Sequence, residues 1–145
     1  MEKPLFSIIS SMGRRSSNFP MLLLDTHAFL WFEGNDPKLP QNVMEELQTN
    51  DHVYISIATF WEIAIKNSMG KFELRLPIDE MMEKSGFSIL PIKASHLKKL
   101  MELPWIHRDP FDRLLISQAQ AEGLTLITKD ENIRKYGDVE TIWNE

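Results

Sequence analysis

The chain predicts an α/β fold, with a central, mainly parallel sheet between two layers of helices: a three-layer α/β/α sandwich. Three observations predict it. Leu22-Leu23-Leu24 and Leu124-Thr125-Leu126-Ile127 are apolar runs too short for helices, and they are bounded as buried strands of a parallel sheet are. Val53 to Ile57 alternates in polarity and is rich in β-branched residues, as a further strand would be. Between these runs the spacing turns helical, and regular alternation of strand and helix implies parallel pairing with both faces covered. The order of the strands is not readable from such a pattern, which handedness rules only narrow.

Taken in order, the elements justify themselves as follows. Residues 1–20 are rich in Ser, Gly and Arg and fit a disordered or loosely docked extension. Its apolar stretch, Leu5 to Ile9, is too short for a signal-peptide core and precedes the arginine pair Arg14-Arg15. Met21 opens the regular pattern and is a candidate start of translation; the domain is expected over residues 21–145. A short helix is expected over Thr26–Phe32, broken by Gly34-Asn35-Asp36-Pro37. Pro40 suits the first turn of the next helix, which runs to about Asn50 with Leu39, Val43 and Leu47 inward. After the strand at Val53–Ile57, helical spacing resumes from Thr59 to Asn67, with Glu62 on its first turn and Ser56 placed to cap it. Pro77–Ser85 reads as a helix stopped by Gly86, and Phe87–Leu90 as a strand. Ala94–Leu103 reads as a helix with Leu97, Leu100 and Met101 apolar. Phe111–Glu122 follows a Pro-rich loop and ends at Gly123. Beyond the strand at Leu124–Ile127, a short helix over Glu131–Lys135 and an edge strand at Thr141–Trp143 complete the pattern.

Composition excludes several function classes. With 145 residues, one domain with a real core is expected. There is no cysteine, so no disulfide framework and no cysteine-based zinc, haem or iron–sulfur site exists; this fits a cytoplasmic location. No run approaches 18 apolar residues, so no membrane span is expected. Residues 21–145 hold 13 basic and 20 acidic side chains, a net charge of −7. An acidic domain is a poor general binder of nucleic acid unless a local basic rim or a metal ion bridges the repulsion. GxGxxG, GxxxxGK[ST] and GxSxG are all absent. His27, His52, His96 and His107 make no zinc pattern and read as structural or surface residues.

The chemistry rests on acids. Asp25 and Asp130 each follow an apolar strand, Glu62 follows another by a few residues, and Asp112 begins a helix. In a parallel sheet the first three lie at the carboxyl edge, where open α/β sheets bind ligands. Four carboxylates in one cleft repel, and a divalent cation removes that cost; an all-oxygen site suits magnesium or manganese. Such an ion supports hydrolysis of a phosphodiester. Each acid also has a plainer use. Asp25, Asp109 and Asp130 fit helix caps or turns, Asp112 a first-turn helix acid, and Glu62 a hydrogen-bond acceptor for a neighbouring turn.

Leu-Leu-Asp25-Thr-His-Ala, Ser56-Ile-Ala-Thr-Phe-Trp-Glu62-Ile-Ala-Ile-Lys66, Asp109-Pro-Phe-Asp112-Arg-Leu-Leu and Ile127-Thr-Lys-Asp130 resemble the acidic motifs of PIN domains. More narrowly, they are similar to those of the VapC toxins of bacterial and archaeal toxin–antitoxin pairs. The resemblance covers Met21 to the C-terminus and implies a PIN-like sandwich. It implies a magnesium- or manganese-dependent ribonuclease acting on single-stranded or structured RNA. It also implies a homodimer inhibited by a small cognate antitoxin whose tail occupies the cleft. By position, Asp25, Glu62, Asp112 and Asp130 would be the catalytic quartet, with Asp25 and Asp112 as metal ligands. Thr128 would line the site and hold a water or a phosphate oxygen. Lys66, Lys71, Arg108, Arg113 and Lys129 fall near the motifs and would form the basic rim, although Arg113 also fits an ion pair with Asp112. Trp31, Phe32, Phe60, Trp61 and Trp105 exceed what one small core needs, so some are candidates for an antitoxin groove or a dimer interface. Two other classes compete: a phosphatase using Asp25 as phosphoryl acceptor, although His27 stands where its second aspartate belongs, and a receiver-like or inactive binding module.

Overall fold

The computed structural model describes residues 20–137 and 141–143. The expectation for the N-terminal extension falls on residues 1–19, outside the described residues. The strands are β1 (Leu22–Leu24), β2 (Val53–Ser56), β3 (Ser88–Leu90), β4 (Thr125–Ile127) and β5 (Thr141–Ile142). The helices are α1 (Thr26–Glu33), α2 (Gln41–Thr49), α3 (Ile57–Ser68), α4 (Ile78–Lys84), α5 (Ala94–Glu102), α6 (Pro110–Glu122) and α7 (Glu131–Arg134).

Among the described residues the four strand pairings are all parallel, in the order β3-β2-β1-β4-β5. β1 is central, with Leu24 level with Ile55 on one side and Ile127 on the other. Successive residues of a strand face opposite ways. Leu22 and Leu24 therefore enter a core built by α1 to α4, with Phe29, Val43, Leu47 and Ile63. Leu23 enters the other, with Leu115, Ile116, Ile133 and Tyr136 from α6 and the segment around α7. One uninterrupted apolar run thus serves two cores, which is what makes the molecule three-layered. The sheet order also departs from the 2-1-3-4-5 order of receiver-like folds, which removes that alternative. Among the described residues no helix is long and apolar enough to cross a membrane.

Two local expectations change. α3 starts at Ile57, because the Ser56 hydroxyl accepts the Ala58 amide at 3.0 Å, and Glu62 consequently lies in the second turn. On α5, Leu97 and Met101 face solvent, and the buried residue is His96. Its ring is clamped from two sides. Nδ1 accepts the Lys93 amide at 3.0 Å, and Nε2 lies 2.8 Å from Glu122 Oε2 at the end of α6. That pair of bonds, with Leu100 packed on the second core, sets the rotation of α5.

Candidate active site

β1 runs into Asp25, whose backbone amide donates to Ile127 O at 3.1 Å and ties the carboxyl ends of β1 and β4 together. The chain departs from β1 and β4 to opposite sides of the sheet, so this is the crevice where doubly wound folds place ligands. Asp25 is 5% exposed. Its Oδ1 accepts the Ala28 amide at 2.8 Å and so caps α1. Burial pushes its carboxyl above the usual range; hydrogen bonds from Thr128 and Ala28 and the charge of His27 pull against this, and Asp130 adds to it.

Asp130 leaves β4 three residues past its end and caps α7 through Oδ1, which accepts the Asn132 amide at 2.8 Å. Both aspartates are therefore caps and site residues at once, each with one oxygen committed to a helix. Thr128 joins them. Its hydroxyl bonds to Asp25, and its oxygen accepts the Asp130 amide at 3.0 Å. Thr128 is fully buried, so it braces the two acids from behind and does not present a surface to a ligand.

Asp112 arrives on the first turn of α6. Pro110 opens that helix, and Asp109 Oδ1 accepts the amides of Phe111 and Asp112 at 2.9 and 3.0 Å. Asp109 is thus the cap. Burial drives the Asp112 carboxyl up to about 6; the His107 hydrogen bond opposes this, and the charges of Asp109, Asp130 and Asp25 reinforce it. Asp25, Asp112 and Asp130 consequently share one field. Ligand atoms of His107, Asp112 and Asp130 all lie within 4.8 Å of one another. The sequence marks His107 as no more than a structural or surface residue, yet its Nε2 is 2.8 Å from Asp112 Oδ2. Its spacing of five residues across a proline matches no helical or metal motif, so no sequence rule pairs the two.

Glu62 is differently placed. Its Oε1 accepts the Thr26 hydroxyl at 2.7 Å and its Oε2 lies 2.9 Å from Lys66 Nζ. It reaches the site through Thr26, the neighbour of Asp25. The remaining predicted contacts divide. Lys129 lines a cleft of about 230 Å3 with Asp25, His27, Trp31 and Asp130. Lys66 is half exposed and paired with Glu62, and Lys71 is exposed just past α3. Arg113 does not join the rim and makes no ion pair with Asp112. It is 5% exposed, and its Nη1 donates to Pro104 O at 2.8 Å and to the Tyr136 hydroxyl at 3.1 Å. Of the aromatic residues, Phe32 and Phe60 are core, while Trp61 and Trp105 stand in solvent.

The donor set fits an oxygen-preferring divalent cation: Asp112 and Asp130 lie close together with the His107 imidazole, Asp25 adjoins them beside Asp130, and the burial and repulsion that raise Asp25 and Asp112 are what a cation would relieve. Parallel topology, a crevice at the switch point and clustered acids define a metal-binding α/β nuclease-like class. The chain belongs to the PIN domain family, whose pattern it matches over residues 22–139. It is similar to ribonuclease VapC22 of Mycobacterium tuberculosis, 23% identical over 118 residues that span 79% of this chain and 91% of that one. Among solved structures it resembles a chain of VapBC2 from Rickettsia felis bound to promoter DNA, with a TM-score of 0.65 and 20% identity, covering 85% of this chain and 98% of that one. A chain of FitAcB from Neisseria gonorrhoeae matches with a TM-score of 0.60 and 22% identity, over 86% of this chain and 97% of that one.

Proposed function

We propose that the protein is a metal-dependent endoribonuclease toxin that hydrolyses RNA phosphodiester bonds in the cytoplasm and is neutralised by a cognate antitoxin. The observation that carries the reading is the gathering of Asp112 and Asp130, close together with His107, next to Asp25, which lines a cleft with Asp130, at the switch-point crevice of a PIN fold. The similarity to the VapC22 ribonuclease supports the substrate class, and a structural relative that is a toxin–antitoxin complex from Klebsiella pneumoniae supports the partner.

In this reading Asp25 and Asp112 hold a magnesium or manganese ion, and Asp130 and Glu62 complete the quartet. The bound ion supplies charge stabilisation at the phosphodiester and a more acidic water. The chain does the rest. Ala28 and Asn132 amides fix one oxygen each of Asp25 and Asp130, and Thr128 holds the two in register. Thr26 and Lys66 each hold one oxygen of Glu62 and fix its carboxylate in place. Lys129 in the cleft, together with the exposed Lys71 and the half-exposed Lys66 on and just past α3, offsets the repulsion between an acidic domain and the RNA backbone. A phosphoryl-acceptor role for Asp25 is disfavoured, since its carboxyl is buried and already holds two hydrogen bonds. A homodimer belongs to the same reading: Leu97 and Met101, one turn apart on α5, and Trp105 after it leave apolar surface in solvent that a second copy would cover.

Cleavage of single-stranded RNA and transfer RNA with magnesium, with manganese and with chelator tests this, alongside Asp112→Asn purified identically. Cutting is expected only with metal, and about 100-fold or more slower in the variant, since even groups behind metal ligands contribute 10–100-fold. Equal cutting by both proteins would assign the activity to a contaminant. Sedimentation of the same samples reads the oligomeric state.

A further inference from the structure

We infer that His107 is a positioning residue of this site: its imidazole grips one oxygen of Asp112 so that the other is turned to the metal position. The inference rests on the metal reading above and adds a residue to it. His107 Nε2 lies 2.8 Å from Asp112 Oδ2. An ionised carboxylate only accepts, so Nε2 carries the proton and the ring is the donor.

The loop that carries His107 is itself held with unusual effort. The buried Arg113 guanidinium binds Pro104 O, and the Tyr136 hydroxyl, also buried, accepts the His107 backbone amide at 3.0 Å. Arg113 further lies 4.0 Å from the centre of the Trp105 ring. Enclosing a guanidinium is costly unless its bonds accomplish something. Here they fix the loop on both sides of residue 106 and so set where the His107 ring starts. Helix capping does not explain the contact, because Asp109 already satisfies the first amides of α6. An imidazole behind a metal-binding carboxylate has a known physical effect, orienting the ligand and sharpening affinity.

The rival is direct ligation by His107, whose ring nitrogen lies within 4.8 Å of an oxygen of Asp130 as well. Manganese binding by full-length protein separates them, read by titration calorimetry and by nitrogen coupling in the manganese electron-spin-echo spectrum. Circular dichroism checks each variant's fold. His107→Phe fills the space without a donor; His107→Gln keeps one. Positioning predicts that His107→Phe weakens manganese binding 10–100-fold, that His107→Gln stays within about 3-fold of the parent, and that the parent spectrum shows no directly bound nitrogen. Unchanged binding in both variants overturns the inference. Equal loss in both, with strong nitrogen coupling in the parent, makes His107 a ligand and overturns it too. Should His107→Phe fail to fold, the parent spectrum and His107→Gln still decide. A folded parent that binds no manganese at all would instead sink the metal reading beneath it.

Discussion

Asp112 shows how a functional residue burdens the fold that holds it. Its carboxyl is pushed from 3.8 to about 6, so the folded state favours the protonated form. That contribution is complete below about pH 4 and is lost as pH rises through about 6; above that, the metal-free fold carries a desolvated charge among like charges. That displacement corresponds to roughly 3 kcal/mol before relaxation. Asp112→Asn removes the charge and leaves an acceptor for His107. Without metal, the variant is expected to be more stable than the parent by about 1–3 kcal/mol at pH 7.5, with the gap closing towards pH 4. Urea unfolding across pH measures it, and a gap that ignores pH would mean the strain lies elsewhere. At this scale the sequence was legible but double-valued. Asp25 and Asp130 read equally as caps and as site acids because they are both: each gives Oδ1 to the helix it caps while its carboxyl lines the cleft. His107 was not legible, since its partner is reached around a proline turn and not along a helix face.

Elements whose ends carry their own chemistry were the readable ones. α6 has Asp109 to cap it, Pro110 in its first turn and Gly123 in the left-handed conformation at its end, φ 69°, and its extent followed from those residues. α5 had only an apolar pattern, and it held in part: Leu100 packs on the second core, whereas Leu97 and Met101 face solvent and His96 is the buried residue, bonded to Glu122. A specific pair of hydrogen bonds to a fully buried ring outweighed apolar residues that solvent tolerates singly. The test is His96→Ala. It opens a cavity, strands the Lys93 amide and leaves Glu122 with the Lys93 ammonium alone, so chemical denaturation is expected to register a loss of about 2–4 kcal/mol. A loss below about 0.5 kcal/mol would show that the clamp does not set the packing of α5 on α6.

Across the whole molecule, what stayed illegible was strand order, because pairing depends on contacts distant in sequence and alternation alone does not rank them. Yet that order is what creates the site. Placing β1 between β2 and β4 brings Asp25 beside Asp130, while α3 and α6 carry Glu62 and Asp112 in from opposite layers. Residues 25, 62, 112 and 130 are far apart in the chain, so the unfolded polypeptide has no comparable cluster. An ion held by them therefore binds the native state alone and stabilises it by mass action, by about 2.7 kcal/mol at a hundred times its dissociation constant. For a chain of this size each kcal/mol raises the melting temperature by roughly 3 °C, so saturating manganese is expected to raise it by roughly 8 °C. Asp25→Asn and Asp112→Asn should abolish most of that rise although Asp112→Asn melts higher than the parent without metal. The crossing of those two curves, read by differential scanning fluorimetry, is the signature of a site assembled by topology: a surface-bound ion would lift all three proteins alike.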